Sequence, residues 1–203
     1  MSKLFVFEGP DGVGKSSISQ RVHDALLARD LKSNLLTFPG RAEGTLGHLV
    51  YRLHHNATEF GIASIDPSAL QILHIAAHVD AIRQVISPLV LDGQIVILDR
   101  FWWSTLAYGV ANGVNEDELW AMIEVELRAW PILPAAVFLV TREKPIRKEL
   151  DEKKWLDVVQ AYDRLAGREL SSYPVVRLPN EDKVEKAISQ AEEFILSSMQ
   201  VAQ

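Results

Sequence analysis

The segment Gly9-Pro10-Asp11-Gly12-Val13-Gly14-Lys15-Ser16 constrains this chain more than any other, because of what stands on either side of it. Before it runs Leu4-Phe5-Val6-Phe7, apolar without alternation, the pattern of a strand buried on both faces of a parallel sheet. After it, Ile18, Val22, Ala25 and Leu26 recur at helical spacing. A strand, a glycine-rich turn and a helix in that order aim backbone amides and a positive helix end at a polyphosphate. Glycines let the backbone wrap the phosphates, the lysine reaches the β- and γ-phosphates, and the following hydroxyl ligates Mg²⁺. The spacing therefore predicts bound ATP and Mg²⁺, with Gly9, Gly12, Val13, Gly14, Lys15, Ser16 and Ser17 around the nucleotide.

Four further apolar runs follow: Leu35 to Phe38, Ile95 to Leu98, Ala136 to Val140 and Val175 to Leu178. All read as strands buried on both faces. Asp66-Pro67-Ser68 opens a helix that extends to about Leu91, with Pro88 bending or interrupting it. Asn115 to Asp117 starts another that stops before Pro131, and Glu152 to Ala166 and Lys183 to Met199 are the last two. Strands alternating with helices predict an α/β fold: one doubly wound, five-stranded parallel sheet flanked by helices. The 203 residues suit a single domain with a short lid at about 141–153.

With 48% hydrophobic and 24% charged residues there is ample material for a core. The net charge of −6 disfavours a nucleic-acid or anionic-membrane partner, which would want a basic surface. The chain has no cysteine, so disulfides, thiolate metal sites and cysteine nucleophiles are excluded. No apolar run approaches the roughly 18 residues of a membrane span, and the N-terminus lacks a signal-peptide layout. A cytoplasmic location is the expectation.

Ile95-Val96-Ile97-Leu98-Asp99 ends an apolar strand in a carboxylate, which delivers an acid to the metal beside such a phosphate loop. Ser16 and Asp99 are thus the candidate metal ligands. A guanine-reading Asn-Lys-x-Asp element after a later strand is absent, which argues against a GTPase.

Phe7-Glu8-Gly9-x-Asp11-Gly12-x-Gly14-Lys15-Ser16 and Asp99-Arg100-Phe101-x-x-Ser104-x-x-Ala107-Tyr108 together resemble the thymidylate kinase family. That family has the form F-E-G-x-D-G-x-G-K-[ST] and later D-R-[YFH]-x-x-S-x-x-A-Y. The loop Phe38 to Gly47 is similar to its phosphate-contacting loop and puts Arg41 at the family's arginine position. The resemblance covers residues 3 to about 110 well and the remainder loosely.

The resemblance implies a nucleoside monophosphate kinase that passes the γ-phosphoryl of ATP to dTMP, in a homodimer. It implies that Asp11 contacts the acceptor's 3′-hydroxyl and that Arg41 and Arg100 hold its phosphate. Asp99 positions metal-bound water or the acceptor arginine. Tyr108 packs on the deoxyribose, Ser104 and Thr105 offer polar contacts to the base, and Phe38 joins them on the acceptor side.

The chain departs from the family in three places. His74 and His78 stand where the family has a phenylalanine that stacks on thymine and an arginine that reads its O4. Four apart on a helix, the two imidazoles share a face and line one pocket. They also resemble half a metal site, but no third ligand stands near them in the sequence. Gly109 follows Tyr108 where many relatives carry a polar side chain, again at the base end. The lid is short and offers Arg142 and Arg147 to neutralise the transferring phosphoryl group. His54-His55 reads as a solvated helix face, and the five tryptophans as packing. Two other readings stay open: the same chemistry on another nucleotide or phosphorylated acceptor, and a nucleotide-binding regulatory protein without turnover.

Overall fold

In the computed structural model, which describes residues 2–146, 149–181 and 183–200, the five apolar runs form one parallel sheet. The strands are β1 (Leu4–Glu8), β2 (Ser33–Thr37), β3 (Ile95–Asp99), β4 (Ala136–Thr141) and β5 (Val175–Pro179), in the spatial order β2-β3-β1-β4-β5. The chain winds outward from β1 to β2 on one side and to β4 and β5 on the other, which leaves β1 at the centre. Phe5 pairs with Ile97 of β3 and with Ala136 of β4.

Alternate side chains of the central strands feed two separate cores, as a pleat requires. Phe5, Phe7, Ile97, Phe138 and Val140 face helices α1 (Lys15–Leu27) and α8 (Val184–Gln200) through Ile18, Val22, Ala187 and Ile195. Leu4, Val6, Val96, Leu98, Val137 and Leu139 face the other layer. That layer is built from α3 (Pro67–Ala81), α5 (Trp102–Ala111), α6 (Glu116–Leu127) and α7 (Glu152–Glu169). Every residue of β1 and β3 is buried. The edge strands differ from the expectation: β2 is only half-buried, and β5 buries Leu178 alone. A strand at a sheet margin has a neighbour on one side only, so its apolarity overstates its burial.

The helix starts follow their caps. The Asp66 carboxylate accepts from the Ser68 and Ala69 amides with Pro67 at the first turn, Asn115 accepts from Asp117 and Glu118, and Asp151 accepts from Lys154. The expected long helix beyond Asp66 is continuous in course but widens into a π-turn over Ile82–Ile86 before α4 (Ser87–Leu91). Pro88 has no amide to donate backward, and the wider turn just before it absorbs that loss. Helix α2 (Leu46–His55) packs on α3.

Candidate active site

Everything chemical gathers at the carboxyl ends of β1 and β3, where open α/β sheets bind their ligands. Gly9 turns away from β1 with φ +138°, and a Cβ there would sit 2.3 Å from the Val140 carbonyl oxygen of β4. Gly14 takes φ +93°, and its missing side chain leaves room for the Asn180 amide, which donates to the Val13 carbonyl at 2.7 Å. Lys15 opens α1 buried to 5% exposure, and its Nζ donates to the Pro10 carbonyl at 2.8 Å. Burial, then the nearby Arg100 charge, lowers the Lys15 ammonium to about 8 against the pull of Asp11, Asp99 and Glu8.

At the end of β3, Asp99 Oδ2 accepts from Ser16 Oγ at 2.5 Å, while its Oδ1 is enclosed with no partner. Arg100 takes φ +86°, an uncommon conformation for a side-chain-bearing residue, and its amide donates to the Phe7 carbonyl at 2.9 Å. Its guanidinium donates to Asp11 and, at 3.1 Å, to Ser104 Oγ. Burial alone would weaken its hold on the proton. Tyr108, Asp11 and Glu8 outweigh that and raise it above its ordinary value, so Arg100 is a permanent cation. The same ion pair, with Lys15, outweighs burial at Asp11 and lowers that carboxyl. The Asp11 amide donates to Tyr108 OH at 2.8 Å, and the Arg100 guanidinium lies 5.5 Å from the centroid of that ring.

The sequence gives little warning of what holds this cluster in place. Glu8 is fully enclosed: Oε1 accepts from the Phe101 amide at 2.7 Å and the Ser104 amide at 3.1 Å, and Oε2 from Tyr162 OH at 2.8 Å. It caps α5 from the neighbouring strand and thereby fixes the direction of Arg100. Burial raises its carboxyl, only partly countered by Arg100 and Lys15. Trp155 Nε1 donates to the Asp11 carbonyl at 2.7 Å, so one of the packing tryptophans braces the phosphate loop. The available signal was a carboxylate closing an apolar strand just ahead of a glycine.

The segment after β4 folds back over the loop. The Ile146 amide donates to the Gly12 carbonyl at 2.8 Å, and Pro145 and Leu150 lie against Gly12. Arg142 donates to the Asn180 carbonyl and lines a cavity of about 280 Å³ beside Gly14 and Ser17. Its anchored end is therefore beyond the loop, beside α1 and α8. Arg147 lies outside the described residues.

On the acceptor side, Ser104 is engaged with Glu8, Tyr162 and Arg100, so it braces the cluster and is not free for a base. Thr105 Oγ1 is enclosed without a partner. Gly109 faces α6, where a Cβ would meet the Leu119 side chain at 2.6 Å. Arg41 is exposed, its guanidinium 4.6 Å from the centroid of the Tyr51 ring. His74 and His78 share a face of α3 with ring centroids 6.3 Å apart, but their partners differ. His74 Nε2 lies 3.0 Å from His54 Nδ1, while His54 and His55 both stay exposed, as expected of that helix face. His78 Nδ1 meets Glu126, and its ring stacks on Phe38 with centroids 4.2 Å apart. Among the described residues no group of three potential ligands could hold a metal, and Asp99 with Ser16 offers two hard oxygens.

Against this geometry the comparisons are direct. The thymidylate kinase family model matches residues 7–166, a stretch that includes the phosphate loop, Arg100 and most of α7. The chain belongs to the thymidylate kinase family. It is 33% identical to a thymidylate kinase of Chlamydia pneumoniae over 68% of this chain and 65% of that one. It is 33% identical to one of Anoxybacillus flavithermus over 66% of this chain and 63% of that one. A probable thymidylate kinase of Thermococcus kodakarensis matches at 27% over 80% of this chain and 76% of its own. The chain thus spans a little under two thirds of the length of the first two relatives. As a thymidylate kinase family member it has the sheet expected from its sequence, and no described helix is long and apolar enough to cross a membrane.

Proposed function

We propose that this chain is an ATP-dependent nucleoside monophosphate kinase that transfers the γ-phosphoryl group of Mg-ATP to dTMP, giving dTDP. The observation that carries the reading is the Arg100–Asp11 ion pair, which joins the strand-end arginine to the interior of the phosphate loop. It brings a permanent cation to the Asp11 carboxylate, on which the Lys15 ammonium at the start of α1 also acts. Two phosphates meeting there would be drawn together by charge and held in line.

Each residue then has a task. The loop amides and the N-terminus of α1 bind the β-phosphate, and Lys15 leaves the Pro10 carbonyl to neutralise the β,γ-bridge. Asp99, with one oxygen enclosed and unpartnered, and Ser16 form the donor set a hard divalent cation prefers, so these two would hold Mg²⁺. Bound there, Mg²⁺ would offset charge on the phosphate oxygens. Arg100 orients the acceptor phosphate, with Arg41 closing on it from the loop after β2. Asp11 and Tyr108 bound the sugar. The cavity beside Arg142, Asn180 and Ser17 suits the nucleoside end of ATP, so Arg142 belongs there. The 141–153 segment is the lid.

A homodimer is supported by large apolar side chains left in solvent on the packed pair α3 and α6, namely Ile72 and Val125. The substrates are metabolites of the cytoplasm, which supports that location.

Incubation with Mg-ATP and a panel of nucleoside monophosphates tests the reading by ADP release. Fastest turnover with dTMP is expected, and no ADP with any acceptor would overturn it. A pH profile adds a second check. Because Lys15 sits near 8 in the free enzyme and must be charged to meet phosphate, kcat/KM for ATP should fall as pH rises through about 8. A flat profile to pH 9.5 would remove Lys15 from the donor site.

A further inference from the structure

Three successive carbonyls of the phosphate loop are taken by donors that lie outside it. The Asp11 carbonyl accepts from Trp155 Nε1 at 2.7 Å, the Gly12 carbonyl from the Ile146 amide at 2.8 Å, and the Val13 carbonyl from Asn180 Nδ2 at 2.7 Å. Two of the three donors are side chains, each only 5% exposed. Trp155 stands in the first turn of α7 and belongs to the same core as Val13 and Ile18. Asn180 is held through its own backbone: its amide donates to the Thr141 carbonyl at 2.9 Å, and its carbonyl accepts from Arg142. Both side chains are thus fixed by elements that are not part of the loop.

We propose that Trp155 and Asn180 are positioning residues for the donor polyphosphate: by holding the Asp11 and Val13 carbonyls outward, they keep the amides of Gly12 and Gly14 aimed at phosphate oxygens. This rests on the kinase reading above, in which the loop amides bind the β-phosphate.

The argument is one of peptide geometry. In a planar trans peptide the carbonyl and the N–H of the next residue point in opposite directions. Among the described residues the one cis bond is Phe38–Pro39, so the loop peptides are trans. Anchoring the Asp11 carbonyl therefore aims the Gly12 N–H away from Trp155, and anchoring the Val13 carbonyl aims the Gly14 N–H away from Asn180. Neither amide makes a hydrogen bond among the described residues, so both stay open to an anion. The anchors are needed because both residues are glycines, at φ +79° and +93°, with no side chain to resist rotation of the preceding peptide. A rotated peptide would present its carbonyl oxygen to phosphate and repel it. An indole nitrogen can only donate, so Trp155 accepts one orientation of the peptide and rejects the other. Asn180 fills the space that a side chain at position 14 would need, since a Cβ there would lie 2.5 Å from its Nδ2.

Three measurements test the proposal on the full chain. Trp155→Phe keeps an aromatic ring but loses the donor, and with folding checked by thermal melting it should raise KM for ATP about tenfold. KM for dTMP should stay within about twofold and kcat within about threefold, because the amides hold the β-phosphate equally before and during transfer. Asn180→Leu should act in the same way. Inhibition by inorganic tripolyphosphate, which has no nucleoside, should weaken by about tenfold in both variants, which assigns the loss to the phosphates. In the native chain, labelled with nitrogen-15 at the indoles, the Trp155 N–H should stay protected from exchange when ADP is bound; loss of that protection would overturn the proposal without any variant. Unchanged KM for ATP in the variants, or a loss that falls equally on ATP and dTMP, sinks this proposal alone. A native chain that binds no ATP sinks the donor-site reading and the proposal with it.

Discussion

Lys15→Ala is expected to lower turnover by on the order of 10³-fold or more while leaving the fold intact, because the ammonium acts on transferring phosphate charge in a water-poor site. The stability side of this prediction comes from the structure. Burial already pushes the Lys15 charge toward neutrality, so the folded chain holds this ammonium at a cost and loses only one hydrogen bond, to the Pro10 carbonyl, when it is removed. Coupled ADP-release kinetics and a thermal melt read the two effects separately. Near-native turnover in Lys15→Ala would exclude Gly9 to Ser16 as the donor site, whatever the comparisons imply.

Glu8→Ala should do the opposite: unfold the molecule before its chemistry can be measured at elevated temperature. Three enclosed donors, the Phe101 amide, the Ser104 amide and Tyr162 OH, would lose their acceptor together. At roughly 1–3 kcal/mol for each orphaned group, and allowing for non-additivity, the expected loss is about 3–5 kcal/mol. For a chain of this size that corresponds to a drop in Tm of roughly 10 °C or more. Arg128→Ala is the control, since its ion pair with Glu124 is exposed and should be worth about 0.5 kcal/mol or less. If Glu8→Ala melts with the control, the network does not hold α5 to β1, and the account of how Arg100 is aimed fails with it.

The two variants bracket the division of labour at the site. In the proposed reaction Lys15 acts on phosphate, and it is held against its own preference for water. Glu8 touches no ligand, yet it sets the angle at which β3 passes into α5, and hence where the Arg100 fork points. Sites built on strand ends depend on such bracing, because the side chains that act must be directed by ones that do not.

Much of this was legible in the order of residues. A lysine after Gly-x4-Gly, between an apolar strand and an amphipathic helix, has one economical explanation, and the five apolar runs are the five strands. Caps at Asp66 and Asn115 marked two helix starts by chemistry that acts over three residues. The readings that needed correction all turned on distance. Gly109 follows Tyr108 in sequence, but a helix rotates about 100° per residue, so one faces the phosphate loop and the other Leu119. Ser104 has the right type for a base contact, but Glu8 and Tyr162, 96 and 58 positions away, occupy it.

The sequence by itself therefore determined the fold and the strand–glycine loop–helix unit at its centre, because strand burial, helix period and loop curvature are local properties of the backbone. Only the tertiary structure decided which partner each polar side chain takes, since that depends on elements brought together from distant parts of the chain. The phosphate loop that opened the reading shows both. Its glycines and lysine were fixed by local rules, while Trp155 from α7, Asn180 from the turn after β5 and Ile146 from the segment after β4 give it its walls.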